Sequence, residues 1–403
     1  MMHALIRPLL QKNQTKIVLV VMDGLGGLPV DGRTELEAAN TPNLDSLAQK
    51  SACGLHYPVE VGITPGSGPG HLSLFGYDPL DHQIGRGILE ALGLGMDVRK
   101  TDVCLRCNYA TIRDGLIADR RAGRIHTDDS RPLTLRLQEA IRKIDDVEVF
   151  FAPGMEHRFA VIFRFPSTLA ADAAAVNDTD PQQEGKPPLE PVAGSDSARP
   201  VARIAAKFIK EASAVLAEEQ RANFLLLRGF SVMPDLLSFG DVYGLNPLAI
   251  ANYPMYRGIA KLVGMAAPDL SGTVRDEIDF LKANYGGYDF FFLHVKKVDS
   301  YGEDGNFAEK SHQIEQFDHL LPEIIGLKPD VLIVTGDHST PATMKGHSWH
   351  PVPVLLHSPY VLGGLSSAFS ERECFRGELG LFKTTRLMPL ALANAGRLKK
   401  FGA

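Results

Sequence analysis

Four cysteines in 403 residues, Cys53, Cys104, Cys107 and Cys374, are too few for a disulfide framework at this length. No apolar run approaches the roughly 20 residues needed to cross a bilayer, so a membrane protein is not expected. The opening Met-Met-His-Ala-Leu-Ile-Arg-Pro-Leu-Leu is too short and too polar at its flanks for a signal peptide, and a cytoplasmic location is the expectation. Positive charge is also scarce. Against 48 Asp and Glu stand 42 Lys and Arg, a net charge of −6, which argues against a nucleic-acid binder and leaves any anionic substrate to local arginines. Internal repeats and low-complexity tracts are absent. Cys104 and Cys107 form a lone C-x-x-C without a second pair. The alternation Val103, Leu105, Cys107, Tyr109 around them reads as a strand rather than a zinc or redox site.

What the chain does contain is a recurring layout of apolar run followed by acid. It occurs at Lys16 to Asp23, at Phe290 to Asp299 and at Val331 to His338. Short β-branched and aromatic runs of this kind read as buried parallel strands, and ligands of open parallel sheets sit at the carboxyl ends of the strands. Asp23, Asp299 and Asp337 would then converge on one sheet edge. Converging carboxylates repel and are costly to desolvate unless a cation lies between them, which implies divalent metal. His338 adjoins Asp337, and His347 follows just ahead of another strand signal, so both imidazoles can join that cluster.

Two domains are expected from the length. From about residue 101 the signals become shorter strands rich in arginine, followed by a polar, proline-rich loop over 177–200 and a helical pattern from Val201 to about Gln220. Residues 101–235 therefore read as an insertion into a domain made of 1–100 and 236–403. In the first domain, Thr41-Pro42-Asn43-Leu44 reads as a helix cap followed by proline at the first helical position. The segment Gly62 to Gly76 reads as a glycine- and proline-rich loop feeding a helix, with Ser67 at its head. A serine hydroxyl is a poor nucleophile near neutral pH unless a base or a metal activates it. Arg120, Arg121 and Arg124 read as a solvated face, whereas Arg158, Arg228 and Arg257 lie beside or inside apolar segments, where a guanidinium usually grips a carboxylate or phosphate.

These residues carry a resemblance. Val21-Met22-Asp23-Gly24, the Pro65-Gly66-Ser67 loop, Asp119-Arg120-Arg121-Ala122-Gly123-Arg124, Leu226-Leu227-Arg228-Gly229, Met255-Tyr256-Arg257-Gly258 and Thr335-Gly336-Asp337-His338-Ser339 are similar to motifs of the archaeal-type 2,3-bisphosphoglycerate-independent phosphoglycerate mutases, in the alkaline-phosphatase superfamily. The resemblance implies an α/β fold: an alkaline-phosphatase-like core with a mostly parallel sheet flanked by helices, plus an inserted smaller α+β cap domain. It implies two divalent metals per chain, manganese first with magnesium, cobalt or zinc as alternatives, and no 2,3-bisphosphoglycerate. Asp23, Ser67, Asp337 and His338 fall where the family holds one metal; Asp299 and His347 fall where it holds the other. Ser67 would be the nucleophile that takes the phosphoryl group from 3-phosphoglycerate and returns it to the 2-hydroxyl. Asp119, Arg120 and Arg158, with Arg228 and Arg257, would grip the substrate. Two positions depart from the family pattern. Gly68 stands where an acid usually follows the serine, and Glu303 stands where Asp-x-x-Gly-His would place the last histidine. Glu303 can still ligate a divalent ion, and a carboxylate there favours manganese or magnesium over zinc. The same metal residues would also suit a phosphomonoesterase or phosphotransferase acting on another small metabolite, and a relative that has lost turnover would act as a metabolite-binding protein.

Overall fold

The computed structural model describes residues 2–402. Thirteen strands run, in chain order, β1 (Ile17–Met22), β2 (Ala52–Tyr57), β3 (Asp102–Arg113), β4 (Leu116–Asp119), β5 (Lys143–Ile144), β6 (Val147–Pro153), β7 (Arg158–Arg164), β8 (Phe224–Val232), β9 (Pro247–Ile250), β10 (Phe290–Val295), β11 (Val331–Thr335), β12 (Val352–His357) and β13 (Gly380–Lys383) among the described residues. They divide between two compact units, one spanning Ile84–Asp235 and the other built from the chain on either side of it.

In the outer unit the seven strands are ordered β13-β2-β12-β11-β1-β10-β9, with helices packed around the sheet. β1 lies parallel between β10 and β11, with Val21 opposite both His294 and Thr335. Every residue of these three strands is buried, as their uninterrupted apolar sequences require of a sheet covered on both faces. Val18, Val20 and Met22 pack with Leu332 and Val334 and with Ile314, Phe317 and Leu321 of the helix Phe307–Ile325. Only β12 runs against its neighbours, pairing antiparallel with β11 and β2. That reversal brings the loop ahead of Val352 to the same edge as the ends of β1, β10 and β11. No helix among the described residues is long and apolar enough to cross a membrane.

The inserted unit is an antiparallel sheet, β4-β3-β7-β6-β5 with β8 on the other side of β3. Val103, Leu105, Cys107 and Tyr109 face the helices Thr127–Ala140 and Arg199–Leu216 in one core. Cys104 and Cys107 are free and buried; three apart on a strand, their side chains leave by opposite faces. This unit begins at Ile84 rather than at residue 101. The helix Arg86–Gly93 belongs to it, because Ile88 N–H donates to Ser231 Oγ at 2.7 Å and a Cβ on Gly87 would meet the Cys104 and Gly229 carbonyls at 2.3 and 2.5 Å.

Thr41 stands at the N-cap of the helix Pro42–Ala48 with Pro42 next, as the sequence suggests, but its hydroxyl makes no capping bond. The buried carboxylate of Asp318 takes that role from a neighbouring helix, accepting from Leu44 N at 2.7 Å, Asn43 N at 3.3 Å and Asn43 Nδ2 at 2.9 Å. A charged acceptor shared by free first-turn donors outcompetes a hydroxyl. Asp318→Ala should therefore lower the unfolding free energy by roughly 1–3 kcal/mol, the cost of leaving those donors unpaired. Urea denaturation with an unchanged midpoint would contradict this account.

Candidate metal centre and active serine

β1 ends at Met22, and the chain turns at Asp23-Gly24, where Gly24 adopts φ 68°. A Cβ there would lie 2.6 Å from Thr340 Oγ1 and 2.9 Å from Asp299 Cα, so only glycine lets the three loops meet. β11 delivers Asp337 and His338. Asp299 sits one helical turn beyond β10, in the helix Lys297–Glu303. The serine comes from the first position of the helix Ser67–Leu74, which Gly70 allows to press against β11: a Cβ on Gly70 would be 2.4 Å from the Asp337 carbonyl oxygen.

The centre is a meeting of acceptors. Asp23, Asp337 and His338 are fully buried and present ligand atoms within 4.8 Å of one another; the buried Asp299 and His338 and the partly buried His347 bring theirs equally close. His338 Nε2 lies 3.2 Å from Asp337 Oδ2, 3.4 Å from Asp23 Oδ1 and 3.3 Å from Ser67 Oγ. Its tautomer follows from the neighbours. Thr340 Oγ1 donates its proton to Asp299 Oδ1 at 2.8 Å, so toward His338 Nδ1, 2.9 Å away, it can only accept. Nδ1 then carries the proton and Nε2 offers a bare lone pair. His347 repeats the arrangement, with Nδ1 donating to the Pro65 carbonyl at 2.9 Å and Nε2 aimed at Asp299 Oδ1 at 3.5 Å. Asp23 Oδ1 finds no hydrogen-bond donor, and Asp337 Oδ2 has only His71 Nδ1 at 3.1 Å, an N–H already given to the Ser67 carbonyl. Lone pairs facing carboxylate oxygens in a dry interior are unfavourable without a cation, and this oxygen-and-nitrogen donor set fits a divalent metal.

Electrostatics agree. Burial resists ionisation of Asp23, but the Lys296 ammonium, followed by the adjacent His294, outweighs it and holds the carboxyl well below its usual range. Burial and Asp23 oppose the charge on Asp337, yet His71, whose Nδ1 lies 3.1 Å from Oδ2, helps to hold it low as well. Burial lowers His338 despite Asp337 and Asp23, keeping the imidazole neutral, as a ligand must be.

Several participants were not evident from sequence. Lys296 reaches Asp23 Oδ2 at 3.0 Å and also binds the Asp299 carboxylate; its position three residues ahead of Asp299 was the available signal. Tyr256 donates its hydroxyl to Asp23 Oδ2 and stacks on His294 with ring centroids 3.7 Å apart. His71 Nδ1 donates to the Ser67 carbonyl at 2.8 Å, fixing the serine's backbone. Glu303 is half exposed, and its carboxylate stands 3.7 Å from His347 Nε2, outside the two close groups.

The inserted unit holds a separate cationic cluster. Asp119 shapes a loop, accepting from Arg121 N at 2.7 Å and Gly123 N at 2.8 Å. Ala122, Gly123 and Arg124 run consecutively through left-handed φ of 50°, 64° and 50°, a strained path for two non-glycine residues. Arg120 spends its guanidinium on Asp180 in a two-point pair at 2.7 and 2.8 Å, and Arg228 lies 3.3 Å from the same carboxylate. In the outer unit, Arg257 is spent on the Ala251, Asn252 and Leu270 carbonyls and on Asp269. Arg121, Arg124 and Arg158 have no carboxylate partner among the described residues. Burial, followed by the charges of Arg158, Arg121, Arg106 and Arg124, pushes His157 down to about 4. The sequence reading took Arg121 and Arg124 as surface and did not single out His157.

A mostly parallel α/β sheet that gathers carboxylates, imidazoles and a helix-borne serine at one edge defines an α/β protein with a candidate metal centre. Relatives specify the family. A family model described as 2,3-bisphosphoglycerate-independent phosphoglycerate mutase matches residues 48–222. A protein of Aquifex aeolicus named "Probable 2,3-bisphosphoglycerate-independent phosphoglycerate mutase" is 58% identical over 99% of both chains. One of the same name from Thermus thermophilus is 51% identical over 99% of this chain and 98% of its own. Among solved structures, the cofactor-independent phosphoglycerate mutase of Thermoplasma acidophilum superposes with a TM-score of 0.72 at 29% identity, covering 95% of this chain and all of its own. The PH0037 protein of Pyrococcus horikoshii does so with 0.81 at 28%, covering 97% and 100%. The chain belongs to the 2,3-bisphosphoglycerate-independent phosphoglycerate mutase family, a family of isomerases.

The cationic cluster yields a pH prediction. Folded His157 stays neutral to about 4, whereas an unfolded imidazole titrates near 6.5, so between these values the unfolded state binds more protons. Stability should fall as pH drops from 6.5 toward 4, and His157→Gln should flatten that fall. Urea denaturation at pH 7 and pH 5 tests it; equal losses in the variant and the parent protein would refute the assignment.

Proposed function

We propose that this protein interconverts 3-phosphoglycerate and 2-phosphoglycerate through a phosphoserine on Ser67, as a step of glycolysis and gluconeogenesis. The observation that carries the reading is Ser67 Oγ at 3.3 Å from His338 Nε2, beside the buried Asp23 Oδ1, which lacks a donor. In the first transfer Ser67 Oγ bonds to phosphorus, the bond from phosphorus to the 3-oxygen of glycerate breaks, and the proton lost by the serine ends on that oxygen. In the second, the 2-oxygen of the turned glycerate bonds to phosphorus, and Ser67 Oγ leaves and regains a proton. Starting and final states hold the same atoms, and no phosphate donor is consumed.

Asp23, Asp337 and His338, with Ser67, would hold one divalent ion, and Asp299 and His347, with Glu303 at the margin, a second; manganese is our first choice. Such ions would lower the pKa of the serine hydroxyl and offset charge on the phosphoryl oxygens. The remaining work belongs to side chains. Lys296, whose ammonium Asp23 and Asp299 favour over the cost of burial, supplies a fixed positive charge between those two carboxylates. The first-turn amides of the Ser67 helix add donors suited to an anion. Full burial of Asp23, Asp337 and His338 keeps the floor of the centre dry, which protects a phosphoserine from hydrolysis. Arg121, Arg124 and Arg158 carry the uncompensated charge suited to phosphoglycerate, whereas Asp119, Arg120 and Arg228 shape the structure of the same unit and Arg257 is tied to carbonyls and Asp269 of its own.

An enolase-coupled assay on 3-phosphoglycerate with manganese and without 2,3-bisphosphoglycerate tests the reading, with free phosphate followed in parallel. The expected result is 2-phosphoglycerate with little phosphate; phosphate alone would assign the centre to hydrolysis. Ser67→Ala should lower kcat by at least about 10³-fold, since the group that forms the covalent intermediate is gone. Arg158→Ala should chiefly raise KM, by roughly tenfold or more for loss of a charge-assisted bond of about 1.5–3 kcal/mol.

A further inference from the structure

Lys310 is a fully buried cation outside both close ligand groups. An ammonium in a dry interior is expensive unless every proton is used and a counter-charge is near. Lys310 Nζ donates to the Thr340 carbonyl at 2.8 Å and the Gly26 carbonyl at 3.0 Å, with Glu35 Oε1 at 3.8 Å. Glu35 is equally buried and accepts from Ala342 N at 2.7 Å.

The two carbonyls identify what this pair controls. Gly26 lies three residues past Asp23, and Thr340 lies two past His338. Thr340 N–H donates to the same Gly26 carbonyl at 3.0 Å, closing a small frame with Lys310 at its centre. From that frame the Thr340 hydroxyl reaches His338 Nδ1 and Asp299 Oδ1, one member of each ligand group. Packing leaves little slack: a Cβ on Gly27 would come within 1.8 Å of Glu35 Oε2, and one on Gly26 within 1.9 Å of Ser339 Oγ.

We propose that Lys310, seated against Glu35, is a positioning residue for the divalent-metal site, setting through Thr340 the orientation of His338 and Asp299. This rests on the metal-site reading above. Residues that orient metal ligands typically change affinity by about 10- to 100-fold when replaced. The double variant Lys310→Met/Glu35→Gln removes both charges with little change of volume, and Glu371, the other buried carboxylate that Lys310 favours, keeps the Gly27 N–H and the Thr34 hydroxyl as donors.

The test is calorimetric titration of manganese into metal-free protein, with the metal-free melting temperature measured alongside. Parent protein that takes up no manganese would overturn the metal-site reading and this inference with it. Given uptake by the parent, the double variant should bind manganese roughly 10- to 100-fold more weakly at an unchanged or higher metal-free melting temperature. Glu35→Gln alone, which keeps the two lysine-to-carbonyl bonds, should show a smaller weakening. Parental affinity in the double variant would overturn the proposal. So would an affinity loss matched by a lower melting temperature, or a double variant that fails to fold while Glu35→Gln binds like the parent.

Discussion

Two carboxylates and an imidazole lone pair held 3.2 to 3.4 Å apart repel one another, and the outer unit is organised to keep them there. The force comes from the sheet. β1 is pinned between β10 and β11 in a register that sets Val21 beside both His294 and Thr335, so the residues after those strands have no freedom to spread. Burial of all three strands on both faces makes a slip prohibitive, since it would expose Val, Leu, Ile and Phe side chains worth roughly 1.5–3 kcal/mol each. Hydrophobic packing thus holds a charge arrangement that is unfavourable alone and becomes favourable when a cation is taken up.

The surroundings temper that repulsion without removing it. Lys296 stands on Asp23 and Asp299, Tyr256 gives its hydroxyl to Asp23, and Gly24 N–H donates to Asp337 Oδ1 at 3.1 Å. Each of these occupies one carboxylate oxygen. Of the oxygens nearest His338 Nε2, Asp23 Oδ1 stays without a donor and Asp337 Oδ2 has only a share of the His71 N–H, 3.1 Å away. The division is consistent with a centre that is stable enough to fold unaided yet keeps its inward lone pairs for a metal.

Much of this was legible in the chain because strand ends are legible. An apolar run that stops at Asp23 or at Asp337-His338 announces both the strand and the edge. What did not show were residues whose role depends on a partner distant in sequence. Lys296 looks like any lysine after a strand, Thr340 like any turn residue, and Asp318 gives no hint that it caps a helix 274 residues away. The reversed direction of β12 was likewise invisible, since an apolar strand reads the same in either sense, although it is what brings His347 to the edge. The helix Arg86–Gly93 carries an apolar face suited to either unit, and only its contact with the Ser231 hydroxyl and the Gly229 carbonyl assigns it.

The arginines show why charge must be counted after pairing rather than before. From sequence, Arg120 belonged to the same exposed run as Arg121 and Arg124, and Arg228 and Arg257 stood out for their apolar neighbours. Folding reverses the ranking. Apolar surroundings make an unpaired guanidinium costly, so Arg228 acquires Asp178 and Asp180, and Arg257 acquires Asp269 and backbone carbonyls. The left-handed turn at Ala122–Arg124, held by Asp119, separates Arg120 from its neighbours and turns it to Asp180, while Arg121 and Arg124 keep their charge. The unpaired charge is felt locally: burial first, and then Arg158, Arg121, Arg106 and Arg124, depress the pKa of His157.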